Sequence, residues 1–411
     1  MSEKRGAGMF DLSMKRSQFL CAAGVAAAST VLAGAAHVAL ANEAADGEAW
    51  DYETDVVVCG CGTSGAPAAI AAADAGAQVI VIEKMDWLGG EMRRCGGGVA
   101  GAGTKVQAAL GVEDNADDFY DYLMAIGGSE VDPDMVRVVA DNAATTVDWI
   151  IDDLGGQPVD QWHFCGGDEG LENLMDAGLN IGTDPANYTD NGMTPIARCH
   201  WFDADPDDPF HGDSDKGLCT YPGGTGLWKT FEKAIEAREA IQTMTSTALV
   251  WFVSDESGVT GVVAEQDGKQ VRIKANRGVV LATGNWGSNH EMMLNYTGHD
   301  FEENAWGGLG LDIAGENDGS GVKAALALGC DLKFPYVYPE GAAIVYSWNL
   351  GGLKADTETR AIDVNGEVIP HLFVASMALG GVLGSKYPLC GISVVRNILF
   401  GRIAGFQAAT L

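Results

Sequence analysis

The sequence is short of positive charge. Its 25 lysines and arginines face 57 aspartates and glutamates, a net charge of −32. A field of that sign repels nucleic acid and anionic membranes, which argues against nucleic acid as a partner. No C-x-x-C-H motif is present, so no haem is attached covalently. No long low-complexity tract absorbs the 56 glycines. Glycines spread that widely suit an α/β chain whose backbone comes close to a cofactor at several points. No metal site is expected.

What is present organises around Thr54 to Lys84, TDVVVCGCGTSGAPAAIAAADAGAQVIVIEK. A β-branched run (Val56, Val57, Val58) enters a glycine turn (Gly60, Gly62, Gly65), an Ala-rich helix leaves it, and a second apolar run ends at Glu83. This order reads as a βαβ dinucleotide-binding unit. Gly60 permits the sharp turn, Gly62 lets backbone N–H groups approach a pyrophosphate, and Gly65 lets helix and strand pack closely. The helix N-terminus offers unpaired N–H groups and partial positive charge to the phosphates. Glu83, 18 residues beyond Gly65, is placed to accept hydrogen bonds from a ribose.

Residues 1–41 read as a signal peptide. Lys15 and Arg16 precede an Ala/Gly-rich apolar stretch from Phe19 to Leu40, and Ala39-Leu40-Ala41 has the small-x-small pattern of a cleavage site. The segment is similar to a twin-arginine signal with Lys15-Arg16 in place of Arg-Arg, and the Sec route stays open. The expected location is therefore the periplasmic or extracytoplasmic side of the cell envelope. Without those residues the chain carries 21 basic and 55 acidic residues, or −34. That balance favours a basic electron-transfer partner or simply solubility. Of the nine cysteines, Cys59 and Cys61 lie in the phosphate turn and read as small packing residues.

Further along, a glycine-dense loop (Gly89, Gly90, then Gly97 and Gly98) follows the ribose acid, as a second backbone approach to the cofactor requires. Amphipathic helices are predicted near Asn115 to Ile126 and Pro133 to Leu154, the second capped by Asp132. Residues 155–222 are irregular, polar and aromatic, and read as a substrate cover between a first dinucleotide-binding part (50–154) and its remainder (223–411). Strands near Thr247 to Val253, Gly258 to Gln266 and Lys269 to Lys274 form a meander. It leads to a separate buried strand ending in Ala282-Thr283-Gly284.

The motif order DVVVCGCGTSGAPAA, VVLATG, GENDGSGVKAALALG, GGLKAD and FGRIAG resembles the flavoprotein superfamily of fumarate reductase, soluble flavocytochrome c and 3-ketosteroid dehydrogenase. The resemblance runs from about residue 52 to 411. It implies an α/β fold: a Rossmann-like FAD-binding domain of glutathione-reductase type, with a β-meander and a reduced or atypical capping region. It also implies FAD held noncovalently, since no histidine stands between Leu88 and Arg94 to carry the flavin. Carried over residue by residue, Gly60, Gly62, Ser64 and Gly65 match the pyrophosphate turn, and Glu83 with Lys84 the adenosine ribose. Gly89, Gly90, Gly97 and Gly98 match the loop flanking the isoalloxazine. Ala248, Thr283, Gly284 and Ser376 are further cofactor contacts. Gly391, Ile392 and Ser393 form the helix start that faces the flavin pyrimidine.

Departures from the family set the expected chemistry. Val374-Ala375-Ser376-Met377 replaces the usual A-A-G-E, so the ribityl-binding acid is missing. Only about 20 positions, Asp331 to Gly351, stand where the family inserts its capping domain. The substrate-clamping arginine of fumarate reductases is replaced by Tyr387, in a Tyr-Pro context similar to the ketosteroid dehydrogenases. Tyr387 is thus the candidate for polarising a substrate carbonyl, with the Gly391 N–H as partner. Tyr346 is a candidate proton donor, and His200 and Arg198 are candidates to project from the cover. Few cations are suitably placed for a dicarboxylate, which favours a neutral or monoanionic enone or enoate. The expected activity is reduction of a carbon–carbon double bond conjugated to a carbonyl, or the reverse dehydrogenation. Electrons are expected from an external cytochrome or a membrane-bound quinol system. The alternative is an FAD-binding electron-transfer subunit without chemistry of its own.

Overall fold

The computed structural model describes residues 49–158, 179–211, 223–297, 317–333, 351–384 and 386–411. The expectations for residues 1–41 and for Tyr346 fall outside these. The strands are β1 (Tyr52–Cys59), β2 (Val79–Ile82), β3 (Gly98–Ala100), β4 (Leu179–Asn180), β5 (Cys199–Trp201), β6 (Ile241–Met244), β7 (Thr247–Asp255), β8 (Gly258–Gln266), β9 (Lys269–Leu281), β10 (Leu332–Lys333), β11 (Gly352–Leu353), β12 (Arg360–Ile362) and β13 (Val368–Val374). The helices used below are α1 (Gly65–Asp74), α2 (Ala116–Gly127), α3 (Pro133–Asp152), α4 (Gly223–Glu236), α5 (Ser320–Ala327) and α6 (Ile392–Ala409).

The main sheet runs β12-β13-β9-β1-β2-β6, with β7 and β8 attached through β9. β1 pairs in parallel with β2 on one side and β9 on the other. Central parallel strands are covered on both faces, which is why Val56, Val57 and Val58 are all fully buried rather than alternating. The predicted meander is present, with β7 antiparallel to β8 and β8 antiparallel to β9.

One expectation needs correction. The third meander strand and the buried strand ending at Ala282 are a single 13-residue strand, β9. Its first half pairs with β8 and its last residues pair in parallel with β13, while β1 accompanies it from Ile273 to Leu281. The two expected strands left Ala275 to Arg277 between them; β1 pairs with β9 on both sides of Asn276 and Arg277, with a register shift between Thr54 and Val56.

The predicted amphipathic helices are α2 and α3. Asn115 accepts from the Asp118 N–H, and Asp132 accepts from the Asp134 N–H ahead of Pro133. Within residues 155–222, read as irregular, β4 and β5 join β3 in a small antiparallel sheet of order β3-β5-β4. Strands of two or three residues give no alternation to read.

Helix α6 crosses α1 at almost no distance. A Cβ on Gly401 would lie 2.2 Å from the Ser64 carbonyl oxygen, and one on Gly405 would lie 2.0 Å from that of Ala68. Glycine to alanine inside a helix normally stabilises by up to about 1 kcal/mol. Here the added carbon meets backbone that cannot rotate away, so overpacking of about 1–3 kcal/mol wins. Gly405→Ala is expected to lower the thermal unfolding midpoint; an unchanged or raised midpoint would contradict the packing described.

Candidate functional site

A cleft opens where β1, β2 and β9 end and α1 begins. Its walls are built from the glycine turn (Gly60, Gly62, Thr63), the segment Ile82 to Met85, Gly90 with Glu91, Thr247 with Leu249, and Ala282 to Gly284. Asn317, Ser320, Ser376, Met377 and Asn397 complete it. It therefore lies at the carboxyl ends of parallel strands, where open α/β sheets bind ligands.

The three glycines of the turn have different causes. Gly60 has φ +97 and its Cβ would meet the Ala282 carbonyl oxygen at 2.5 Å, while a Cβ on Gly65 would sit 1.8 Å from the Gly60 oxygen. Protein packing alone requires both. A Cβ on Gly62 would be tolerated by the protein itself, in ordinary contact at 3.8 Å with Gly89 and Gly90. A ligand in the cleft supplies the missing reason. Two buried side-chain atoms agree with it: Ser64 Oγ at the start of α1 and Asn397 Oδ1 on the cleft wall have no hydrogen-bond partner among the described residues. An extended dinucleotide with phosphates over the α1 N-terminus fits this cradle.

Glu83 is buried, and its two carboxylate oxygens accept from the backbone N–H groups of Cys61 (2.8 Å) and Met85 (2.9 Å). Burial raises its pKa against the lowering effect of those N–H bonds. The carboxylate thus ties the glycine turn to the end of β2 and keeps a second lone pair on each oxygen for a ribose. Lys84 pairs with Asp318 at 3.2 Å beside the cleft.

Across the cleft, Ser376 stands where the family has glycine, and its φ is +68. Its hydroxyl oxygen accepts from the N–H groups of Gly284 and Ala378, each at 3.2 Å. Those two bonds offset a conformation that L residues rarely adopt.

The expected cofactor residues fall into two groups. Gly60, Gly62, Glu83, Lys84, Gly90, Thr283, Gly284 and Ser376 line the cleft. Gly65, Gly89, Gly97, Gly98 and Gly391 stand in close backbone packing: Gly89 against Trp228, Gly97 against Gly223, Gly98 against Cys199, and Gly391 against Gly98 to Ala100. Ala248 sits between the lining residues Thr247 and Leu249, while Ile392 and Ser393 begin α6 with Gly391 at φ +82 as its cap. Sequence reading missed Thr247, Leu249, Asn317 and Asn397. Asn317 donates to Glu91 at 2.7 Å, and its signal was the asparagine of GENDGSG.

Of the catalytic candidates, His200 and Arg198 do not reach the cleft. His200 is fully enclosed on β5, its Nδ1 against the Val99 and Arg198 carbonyls (both 3.1 Å) and its Nε2 2.9 Å from the Thr104 hydroxyl. Burial lowers its pKa to about 4. Arg198 makes a two-pronged bond to Asp114 at 2.8 and 2.7 Å and lies over the rings of Phe119, Tyr122 and Tyr188. Burial disfavours its charge, but the Asp114 bonds outweigh that and raise its pKa.

Arg198 nevertheless supports Tyr387 indirectly. Tyr188 stacks on Tyr122 at 4.1 Å, and Tyr122 donates to the Pro388 carbonyl oxygen at 2.6 Å. This column fixes the turn that carries Tyr387. Burial pushes the Tyr387 hydroxyl well above the usual phenol range, opposed by contact with Ser393, so it is a neutral donor at physiological pH.

Two outcomes follow. Glu83→Ala removes the anchor of Cys61 and Met85 and is expected to weaken FAD binding at least tenfold, a loss of about 1.5–3 kcal/mol for bonds to a charged group, read by flavin fluorescence titration. His200 has a folded pKa of about 4, against about 6.5 in an unfolded chain. The unfolded chain therefore takes up a proton first, and stability present above pH 6.5 is lost as pH falls toward 4, by about 3 kcal/mol. The urea midpoint should fall over that window, and the His200→Gln variant should lack that component.

With this geometry in place, similarities to known proteins can be read. The model of the FAD binding domain family matches residues 55–337. The NADH:fumarate oxidoreductase of Klebsiella pneumoniae is 26% identical over 258 residues, 63% of this chain and 23% of that protein. A probable fumarate reductase of Shewanella frigidimarina is 26% identical over 449 residues, covering 87% of this chain and 75% of that one. The chain thus spans under a quarter of the first relative and three quarters of the second. Among solved structures, the 3-ketosteroid-Δ4-(5α)-dehydrogenase of Rhodococcus jostii RHA1 superposes with a TM-score of 0.72 at 23% identity, covering 89% of this chain and 98% of that one. The match spans well over half the chain and includes the glycine turn and Glu83, so the chain belongs to the FAD binding domain family.

Proposed function

We propose that the chain is an FAD-dependent oxidoreductase acting on a carbon–carbon double bond conjugated to a carbonyl. The observation that carries this reading is Tyr387. It stands in the turn immediately before α6, neutral and half-buried, with Ser393 of the helix's first turn beside it and its chain direction fixed by the Tyr122 bond to Pro388. Bound FAD would supply hydride to, or take it from, the carbon of the double bond remote from the carbonyl, while the carbon next to the carbonyl gains or loses a proton, the task for which Tyr346 is the candidate.

The chain's own residues perform the remaining tasks. Gly60, Gly62, Glu83, Thr283, Gly284 and Ser376 hold the cofactor, noncovalently, since no histidine stands between Leu88 and Arg94. The Tyr387 hydroxyl donates to the substrate carbonyl oxygen, and the N-terminus of α6 adds partial positive charge beside it. Both stabilise the negative charge that develops on that oxygen. Arg198 is committed to Asp114, which leaves a dicarboxylate one clamp fewer and supports a neutral or monoanionic enone or enoate. An external cytochrome or quinol system as electron donor, and export through the basic-then-apolar segment of residues 1–41, belong to the same reading.

The alternative, an FAD-binding electron-transfer subunit, draws on Met377, which stands where the family places the ribityl acid. Anaerobic reduction of the bound flavin, followed by a panel of unsaturated carbonyl compounds, separates the two. Recovery of the oxidised spectrum with an enone or monoenoate, faster than with fumarate, is expected. Tyr387→Phe should slow that recovery about 10²-fold while retaining FAD, the size of effect found on removing one donor to a developing oxyanion. Failure of every compound to reoxidise the flavin would leave only the electron-transfer reading.

A further inference from the structure

Arg396 is a deeply buried cation. It lies in the second turn of α6 and is 1% exposed, among the most enclosed large side chains described. Its Nη2 donates to two carbonyl oxygens, those of Ser376 and Leu379, both at 2.9 Å. Its Nε has no acceptor, and among the described residues it makes no ion pair with a carboxylate. Removing a guanidinium from water is costly, and the usual compensation is a bound carboxylate. Arg198 shows that form of compensation in the same chain, with both prongs on Asp114.

The place of the uncompensated charge is informative. Ser376 and Met377, on the turn that Arg396 holds, line the cleft, and so does Asn397, the next residue on α6. Tyr387 is close enough to act electrostatically on Arg396. Burial lowers the Arg396 pKa to about 10, the Tyr387 hydroxyl opposing the shift, so the group remains a cation at neutral pH. The guanidinium is thus bonded to the backbone of a turn that lines the cleft and lies within electrostatic range of Tyr387. It points the same way electrostatically as the α6 N-terminus.

We infer that Arg396 is a positioning charge for the cofactor: its guanidinium is compensated by the negative charge that FAD acquires on reduction, and it thereby raises the reduction potential of the bound flavin. Two-electron reduction adds two electrons and one proton to the flavin ring and leaves one net negative charge on the pyrimidine side. A fixed cation nearby favours that state over the neutral oxidised ring, in which its desolvation goes uncompensated. The inference needs bound FAD and is independent of which substrate the enzyme takes.

The test is the midpoint potential of the holoprotein, measured by equilibration with a reference dye under slow anaerobic reduction. Arg396→Met keeps length and removes charge, and is expected to shift the ratio of reduced to oxidised flavin affinity at least tenfold against the reduced form. For a two-electron couple that is a drop of about 30 mV. Arg396→Lys keeps the charge and is expected to recover most of the drop. A changed unfolding midpoint with an unchanged potential in Arg396→Met would overturn the inference and leave Arg396 as a brace for the Ser376 turn. Should Arg396→Met fail to retain FAD, the wild-type spectrum decides. The reduced flavin should keep the absorbance of its anionic form from pH 8 to 6, and appearance of the neutral reduced form in that range would overturn the inference. Wild-type protein that holds no FAD would instead defeat the cofactor reading itself, before any variant is compared.

Discussion

Contact of backbone with backbone, without side chains between, is the constraint on which this structure depends. At the end of β1 the chain turns so tightly that Gly65 rests on the Gly60 carbonyl, and α6 then lies on α1 through Gly401 and Gly405. Each contact removes a layer of side chains that would hold the helices some 8–10 Å apart in ordinary packing. The consequence is positional. Since α6 is pressed onto α1, the side chains just before Gly401 reach over the glycine turn, which is how Asn397 comes to line a cleft built mainly from residues 60 to 91 and 282 to 284. The dinucleotide cradle and the C-terminal helix pack directly on one another, although hundreds of residues separate them in sequence.

The strongly acidic composition hides a different internal arrangement. Arg198 and Arg396 are both enclosed, and they are compensated in opposite ways. Arg198 has a carboxylate and three aromatic rings, and serves through Tyr188 and Tyr122 to hold the Tyr387 turn. Arg396 has two carbonyls only. A buried cation satisfied within the protein is a structural element, whereas one left short of negative charge biases whatever binds beside it. The same distinction explains why His200, enclosed and bonded at both ring nitrogens, is part of the scaffold.

Much of this was readable because it rests on short-range rules. The β1-turn-α1 unit, the acid at 83, the caps at Asn115 and Asp132 and the three-stranded meander are each dictated by residues within a few positions of one another. The unity of β9 was not readable, because the evidence for it is its parallel neighbour β1, more than two hundred residues away. Nor was the small sheet of β3, β5 and β4, whose strands are too short for any periodicity. Ser376 was legible as a departure from the family pattern, but not as a left-handed residue whose hydroxyl bonds the Gly284 and Ala378 N–H groups.

The sequence by itself determined that this chain makes a dinucleotide cradle, and the order of its later motifs indicated a flavin. Local glycine and acid chemistry suffices for that, since a phosphate turn is built from consecutive residues. The tertiary structure alone decided which cations are available. Whether an arginine is a clamp, a brace or an unspent charge depends on whether a carboxylate lies within reach in space. For Arg198 one does, 84 residues away in the chain, and for Arg396 none does among the described residues.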